Sequence, residues 1–138
     1  MFDFSESLSE KQAKQMNPVV LAFVGDAVYT LFTRTKAAMG SDKKANELNR
    51  ESAEVVSAKA QAKRADALLE MLSENELAIF RRARNAKKST RAKHASVSQY
   101  HKSTGFEAVL GYLYLTGNNE RLNEILRYGE SEGEKNED

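Results

Sequence analysis

Residues 19–32, VVLAFVGDAVYTLF, form a nearly unbroken apolar run interrupted by one carboxylate, Asp26, directly after Gly25. A helix built from this run is apolar on almost every side, and such a helix is normally central to a larger body. Either the chain's own helices cover all of it or a partner subunit covers one face; the pattern favours neither. Burying an unpaired ionised carboxylate costs many kcal/mol, so Asp26 must be paired, coordinated or at the edge of a cleft. Arg34, two helical turns on, is a candidate partner for a structural ion pair, and a functional carboxylate is the competing reading.

The remainder of the chain reads as helix. There is one proline and there are seven glycines, and no strand-like alternation appears anywhere. Asn17-Pro18 suits a helix start, with Asn as cap and Pro in the first turn. That helix runs to about Ala38, with Gly40 as its stop, and Ser41 or Asp42 can cap the next. The stretch 45–72 is helical throughout, with Leu48, Ala53, Val55, Val56, Ala60, Leu68, Leu69 and Leu72 as core candidates and a break expected near Ser57. Ser73 and Glu76 make a capping box for a helix to about Ala83. A polar loop is expected over 85–101, then helices over 103–115 and 119–128, split by Gly117-Asn118. The acidic tail GESEGEKNED has the composition of a disordered segment. The organisation is an N-terminal segment (1–14), one all-α domain (15–128) and that tail (129–138).

A length of 138 residues suits one domain, burying about two-thirds of the surface its unfolded chain would expose. Cysteine is absent, which excludes a disulfide framework and a thiolate zinc site and fits a reducing compartment. No export signal is read at MFDFSESLSEKQ. No apolar run reaches the ~18 residues that a membrane span needs. The expectation is a cytoplasmic, soluble protein.

The segment STGFEAVLGYLYLTG (103–117) repeats the first arrangement: an apolar helix with one acid, Glu107, and a mid-helix glycine, Gly111. An interior glycine costs a helix about 1 kcal/mol relative to alanine. Gly25 and Gly111 therefore point to close backbone approach. These two helices are candidates to approach each other, which would bring Asp26 and Glu107 together. Two crowded carboxylates repel unless a proton or a cation lies between them, and a hard ion with oxygen ligands such as Mg²⁺ is the natural filler.

The third feature is RRARNAKKSTRAKHASVSQYHK (81–102), which carries Arg81, Arg82, Arg84, Lys87, Lys88, Arg91, Lys93 and Lys102 and no acid, in a chain of net charge +1. Clustered cations on a loop neutralise phosphates with little base specificity. Asn85, Ser89, Thr90, Ser96, Ser98 and Gln99 add neutral groups suited to phosphates and ribose 2′-hydroxyls. A solvated charge run is the plainer reading. His94 and His101 flank this loop, where phosphate contact or simple exposure suits them better than acid–base work.

Four segments together, LAFVGDAVYTLFTR, SAEVVSAKAQA, RARNAKKST and STGFEAVLGYLYLTG, resemble Mini-ribonuclease III, the ribonuclease III catalytic domain without its double-stranded RNA-binding domain. The similarity runs from about residue 15 to 128. It implies an α-helical homodimer that cuts double-stranded RNA with Mg²⁺ and trims the 23S ribosomal RNA precursor; whether a ribosomal protein is a further partner is left open by the sequence. Asp26 matches the aspartate of the ribonuclease III signature and Glu107 the glutamate of the second acidic motif, both as metal ligands and catalytic residues. Ala22 and Thr104 stand where full-length ribonuclease III usually has a glutamate and an aspartate, as in the Mini subfamily, so water must complete the metal's shell. Arg81, Arg82, Arg84, Asn85, Lys87, Lys88, Arg91 and Lys93 fall on the family's RNA-contacting loop. Glu47, Glu51 and Asp66 are further acids with no assigned place. A non-catalytic RNA-binding or ribosome-assembly factor on the same scaffold, and an all-α protein-interaction domain with both acids in ion pairs, are the rival readings.

Overall fold

The computed structural model describes residues 6–40, 47, 49–50, 53, 57–86 and 96–135. Its helices are α1 (Glu10–Gln15), α2 (Pro18–Met39), α3 (Ala58–Leu68), α4 (Glu74–Arg84), α5 (Val97–Leu115) and α6 (Asn119–Lys135). The backbone is also helical at 47, 49, 50 and 53. No strand occurs among the described residues.

Most boundaries follow local chemistry. The Asn17 side chain accepts from the Val19 N–H at 2.9 Å, Pro18 opens α2, and Gly40 closes it. Ser57 breaks the long helical stretch as expected, its hydroxyl capping α3 by accepting from the Ala60 N–H. Ser73 and Glu76 form the expected reciprocal box at α4. Gly117, with φ 73°, ends α5: its N–H donates to the Tyr114 carbonyl at 3.1 Å, and the Asn118 N–H donates to the Leu113 carbonyl at 2.9 Å. That pair of bonds satisfies two of the carbonyls a helix end leaves open, and the left-handed φ suits glycine.

Three expectations are corrected. The stretch 97–101 is helix rather than loop, because Ser96 and Gln99 form a second S-x-x-Q box that starts α5 early. Helix α6 runs on to Lys135 past the end expected near 128, taking in most of the acidic stretch read as disordered. Glu and Lys are good helix formers and the segment has no proline to stop it. Ala53, read as core, is exposed. Leu48, Glu51, Val55 and Val56 lie outside the described residues, as do the caps proposed at Ser41 and Asp42.

Helix α5 is the centre of the domain. Phe106, Val109, Leu110, Tyr112 and Leu113 on it are buried, with α2, α3 and α4 packed around it. Helix α2, expected to be central, buries Leu21, Ala22, Val28 and Tyr29 but leaves Val20, Phe23 and Leu31 45, 79 and 40 % exposed. These positions share one face of α2 at helical spacing.

Helices α2 and α5 meet backbone to backbone. A Cβ built on Gly25 would fall 1.7 Å from the Glu107 carbonyl oxygen, and one on Gly111 would fall 1.9 Å from that of Leu21. Pairing Leu21 with Gly111 and Gly25 with Glu107 makes the helices antiparallel where they cross. Away from this crossing, Arg121 of α6 forks onto Glu76 of α4 (2.7 and 2.8 Å) and also donates to the Met71 carbonyl. Burial pushes the Glu76 carboxyl upward. The hydrogen bonds and charge of Arg121, with the Ser73 N–H, more than offset this and hold its pKa below the ordinary 4.5.

Two outcomes are expected. Gly25→Ala or Gly111→Ala, which would gain about 1 kcal/mol in an exposed helix, should instead destabilise by at least about 1–3 kcal/mol in urea titrations, since the helices must separate. Because the Glu76 pKa is depressed on folding, its contribution is full above pH 4.5 and lost as pH falls through the lower native value. The stability difference between wild type and Glu76→Gln should therefore shrink over that acid range in denaturation curves.

Candidate metal and nucleic-acid site

The glycine crossing places the two acids. Asp26 follows Gly25, and Gly25 lies against the backbone of Glu107 itself. Both side chains line one cleft of about 340 Å³. Helix α2 supplies Val19, Ala22, Phe23 and Asp26 to its wall, and α3 supplies Ala58 and Gln61. Helix α5 supplies Tyr100, Ser103, Thr104 and Glu107, whose i, i+3, i+4, i+7 spacing is one helix face.

The electrostatics of this cleft are one-sided. Among the described lining residues the two carboxylates are the only charged groups. Asp26 is exposed and Glu107 half-buried. The expected alternative, an ion pair of Asp26 with Arg34, does not form: among the described residues neither side chain has a hydrogen bond or ion pair. Two acids on one wall with no cation among their lining neighbours favour a bound positive ion.

The remaining wall is polar without charge. Ser103 and Thr104 are buried and donate their hydroxyls to the Tyr100 carbonyl at 2.8 and 3.0 Å, keeping lone pairs for the cleft. Gln61 is buried at 2 % exposure. Ala22 and Thr104 both lie on this wall. No group of three or more His, Cys, Asp or Glu that could hold a metal occurs among the described residues. Hard oxygen donors suit Mg²⁺, which is usually held by one or two carboxylates and keeps several waters, so a two-acid cleft with neutral hydroxyls and an amide fits it.

The other acids lie elsewhere. Asp66 is ion-paired with Lys102 at 2.9 Å in a separate groove. Glu47 is exposed and has no place in the cleft wall, and Glu51 is among the undescribed residues.

Of the eight proposed RNA contacts, Lys87, Lys88, Arg91 and Lys93 lie outside the described residues, as does His94. Arg81, Arg82 and Arg84 occupy the last turn of α4, where cations also complement the helix dipole, and Asn85 caps it. Arg81 and Asn85 are exposed. Arg82 donates to the Lys14 carbonyl at 2.6 Å, tying α4 to the end of α1. The Arg84 guanidinium lies 5.9 Å from the Phe80 ring centroid, and its Nε donates to the Asn85 side chain. His101 Nδ1 meets the Arg84 carbonyl, a contact that joins α4 to α5 and keeps this ring out of the cleft.

Sequence reasoning missed Gln61, Tyr100 and Ser103 as cleft residues. The spacing of Tyr100, Ser103 and Thr104 from Glu107 is the signal for those on α5, and a loop over 97–101 conceals it. Gln61 carries no such signal.

Comparison with known proteins is consistent with this geometry. Residues 19–118 match the ribonuclease III domain family. The chain is 46 % identical to the Mini-ribonuclease 3 of Thermoanaerobacter sp. (strain X514) over 88 % of its own length and 86 % of the relative's. It is 43 % identical to that of Clostridium tetani, over 88 and 82 %. A crystal structure of a Fusobacterium nucleatum protein superposes with a TM-score of 0.76 at 28 % identity, covering 83 % of this chain and 91 % of that one. No described helix is long and apolar enough to cross a membrane.

Proposed function

For this chain, which belongs to the ribonuclease III family and is an endoribonuclease of that family, we propose Mg²⁺-dependent cleavage of double-stranded RNA at the cleft that holds Asp26 and Glu107. The observation that carries the reading is the convergence of these two acids, from distant parts of the chain, on one wall without a basic residue among the described lining.

In this reading Asp26 and Glu107 bind the ion through their carboxylate oxygens, while Gln61, Ser103 and Thr104 orient its waters. Bound there, Mg²⁺ would supply an activated water and stabilise charge on the departing oxygen. Arg81, Arg84, Asn85 and the cations that follow them in sequence, Lys87, Lys88, Arg91 and Lys93, position the phosphates, which they would do with little regard to sequence. Maturation of the 23S ribosomal RNA precursor is the task proposed by similarity to the Mini-ribonuclease 3 relatives, and such a substrate places the enzyme in the cytoplasm.

The exposed face of α2 supports a homodimer. Val20, Phe23 and Leu31 form an apolar stripe on a helix that buries Leu21, Ala22, Val28 and Tyr29 in the core, and a second copy seated there would remove it from water. Phe23 also belongs to the cleft wall, so the partner would border the cleft. A two-fold axis would present two cleavage sites to one duplex.

Asp26→Asn should abolish cleavage of long double-stranded RNA in Mg²⁺ while leaving the melting temperature and RNA affinity near wild type; a purified variant that still cuts would refute the assignment. Leu31→Glu lies on the stripe but outside the cleft. It should shift the protein from twice the 15.4 kDa chain mass toward one in sedimentation velocity.

A further inference from the structure

A second groove, of about 560 Å³, lies on the side of α3 and α5 turned away from Asp26 and Glu107. Among the described residues its wall includes Lys59, Lys63 and Lys102, against one carboxylate, Asp66. Lys59 and Lys63 are exposed and sit one helical turn apart on α3. Lys102 reaches across from α5 to Asp66, with its Nζ 2.9 Å from one carboxylate oxygen and 3.2 Å from the other. The same two helices thus build both depressions. Ala58 and Gln61 of α3, with Tyr100 and Ser103 of α5, face the acidic cleft, whereas the lysines face the groove.

Helix stability does not account for Lys59. Lys59 lies in the first turn of α3, where a cation opposes the helix dipole and where no acid is present. The chain as a whole is nearly neutral, whereas lysines outnumber carboxylates among the described residues of this groove. A groove of this size and sign, built from the same two helices as the cleft of Asp26 and Glu107, suits an extended polyanion that continues past the cleft.

We propose that the Lys59–Lys63–Lys102 groove is a second phosphate-binding track that holds the RNA backbone beside the scissile position, with Asp66 restraining Lys102 until phosphate displaces it. These lysines are positioning residues rather than catalytic ones. The proposal rests on the double-stranded RNA reading for its substrate, but not on the metal assignment.

The test is equilibrium binding of a blunt, fully paired RNA duplex in EDTA, across a range of salt, followed by cleavage kinetics in Mg²⁺. Lys59→Gln and the Lys59→Gln/Lys63→Gln pair should weaken binding several-fold on any duplex sequence. The slope of log affinity against log salt should fall by about one for each phosphate no longer neutralised. In cleavage, KM should rise while kcat at saturating RNA holds. Asp66→Asn, which removes the groove's carboxylate, should instead tighten binding, an outcome that a purely structural ion pair would not produce. Unchanged affinity and salt slope in the lysine variants, with melting temperatures intact, would overturn the groove even if Asp26→Asn behaves as expected. Conversely, a wild type that binds the duplex through these lysines yet never cuts it would leave the groove standing and sink the catalytic reading.

Discussion

The antiparallel contact between α2 and α5 is the interaction on which the rest depends. Two glycines let main-chain atoms of one helix touch those of the other, with Gly25 against Glu107 and Gly111 against Leu21. Each glycine weakens its own helix by about 1 kcal/mol, a cost offset by the apolar surface that the close approach buries. The acids are brought together by the same contact: Asp26 is the neighbour of one glycine, and the backbone of Glu107 is what that glycine touches. Fold and site share one cause at this point.

Helix α5 then divides the surroundings among its faces. Tyr100, Ser103, Thr104 and Glu107 turn to the acidic cleft, His101 and Gly105 turn to α4, and Gln99 and Lys102 turn to the lysine groove. Its later turns, from Val109 to Leu113, are core. One helix therefore keeps opposite charges apart. Lys102 is drawn to Asp66 on the far side of α3, and the described wall around Asp26 and Glu107 stays free of basic side chains. Two carboxylates on a wall with no basic residue among its described lining attract a small cation in a way that a mixed-charge surface would not.

Much of this was legible in the residues because it rests on local chemistry. Asn17-Pro18, Ser57, Ser73 with Glu76 and Gly40 mark helix ends whose side chains act where they stand in the chain. The closeness of Asp26 and Glu107 was legible for a different reason: a glycine inside an apolar helix is unfavourable alone and so signals a neighbour. What escaped depended on tertiary placement. The start of α5 was missed because VSQYHK has no apolar periodicity, leaving only the Ser96–Gln99 cap to announce it. Gln61 is neutral, and nothing in its neighbourhood along the chain says that α3 turns it toward the acids. Nor does an apolar run say which helix is central: α5 is enclosed, while α2 keeps Phe23 in water.

A crossing made of main-chain atoms also sets what the protein is free to change. Side chains elsewhere in the core, such as Leu113, Ile125 or Phe80, can be exchanged for others of similar volume with local readjustment. None of those exchanges alters the spacing of two peptide backbones that have nothing between them. The chemistry is thereby insulated from drift in the packing around it, and its tolerance to alteration narrows to two positions that carry no side chain at all.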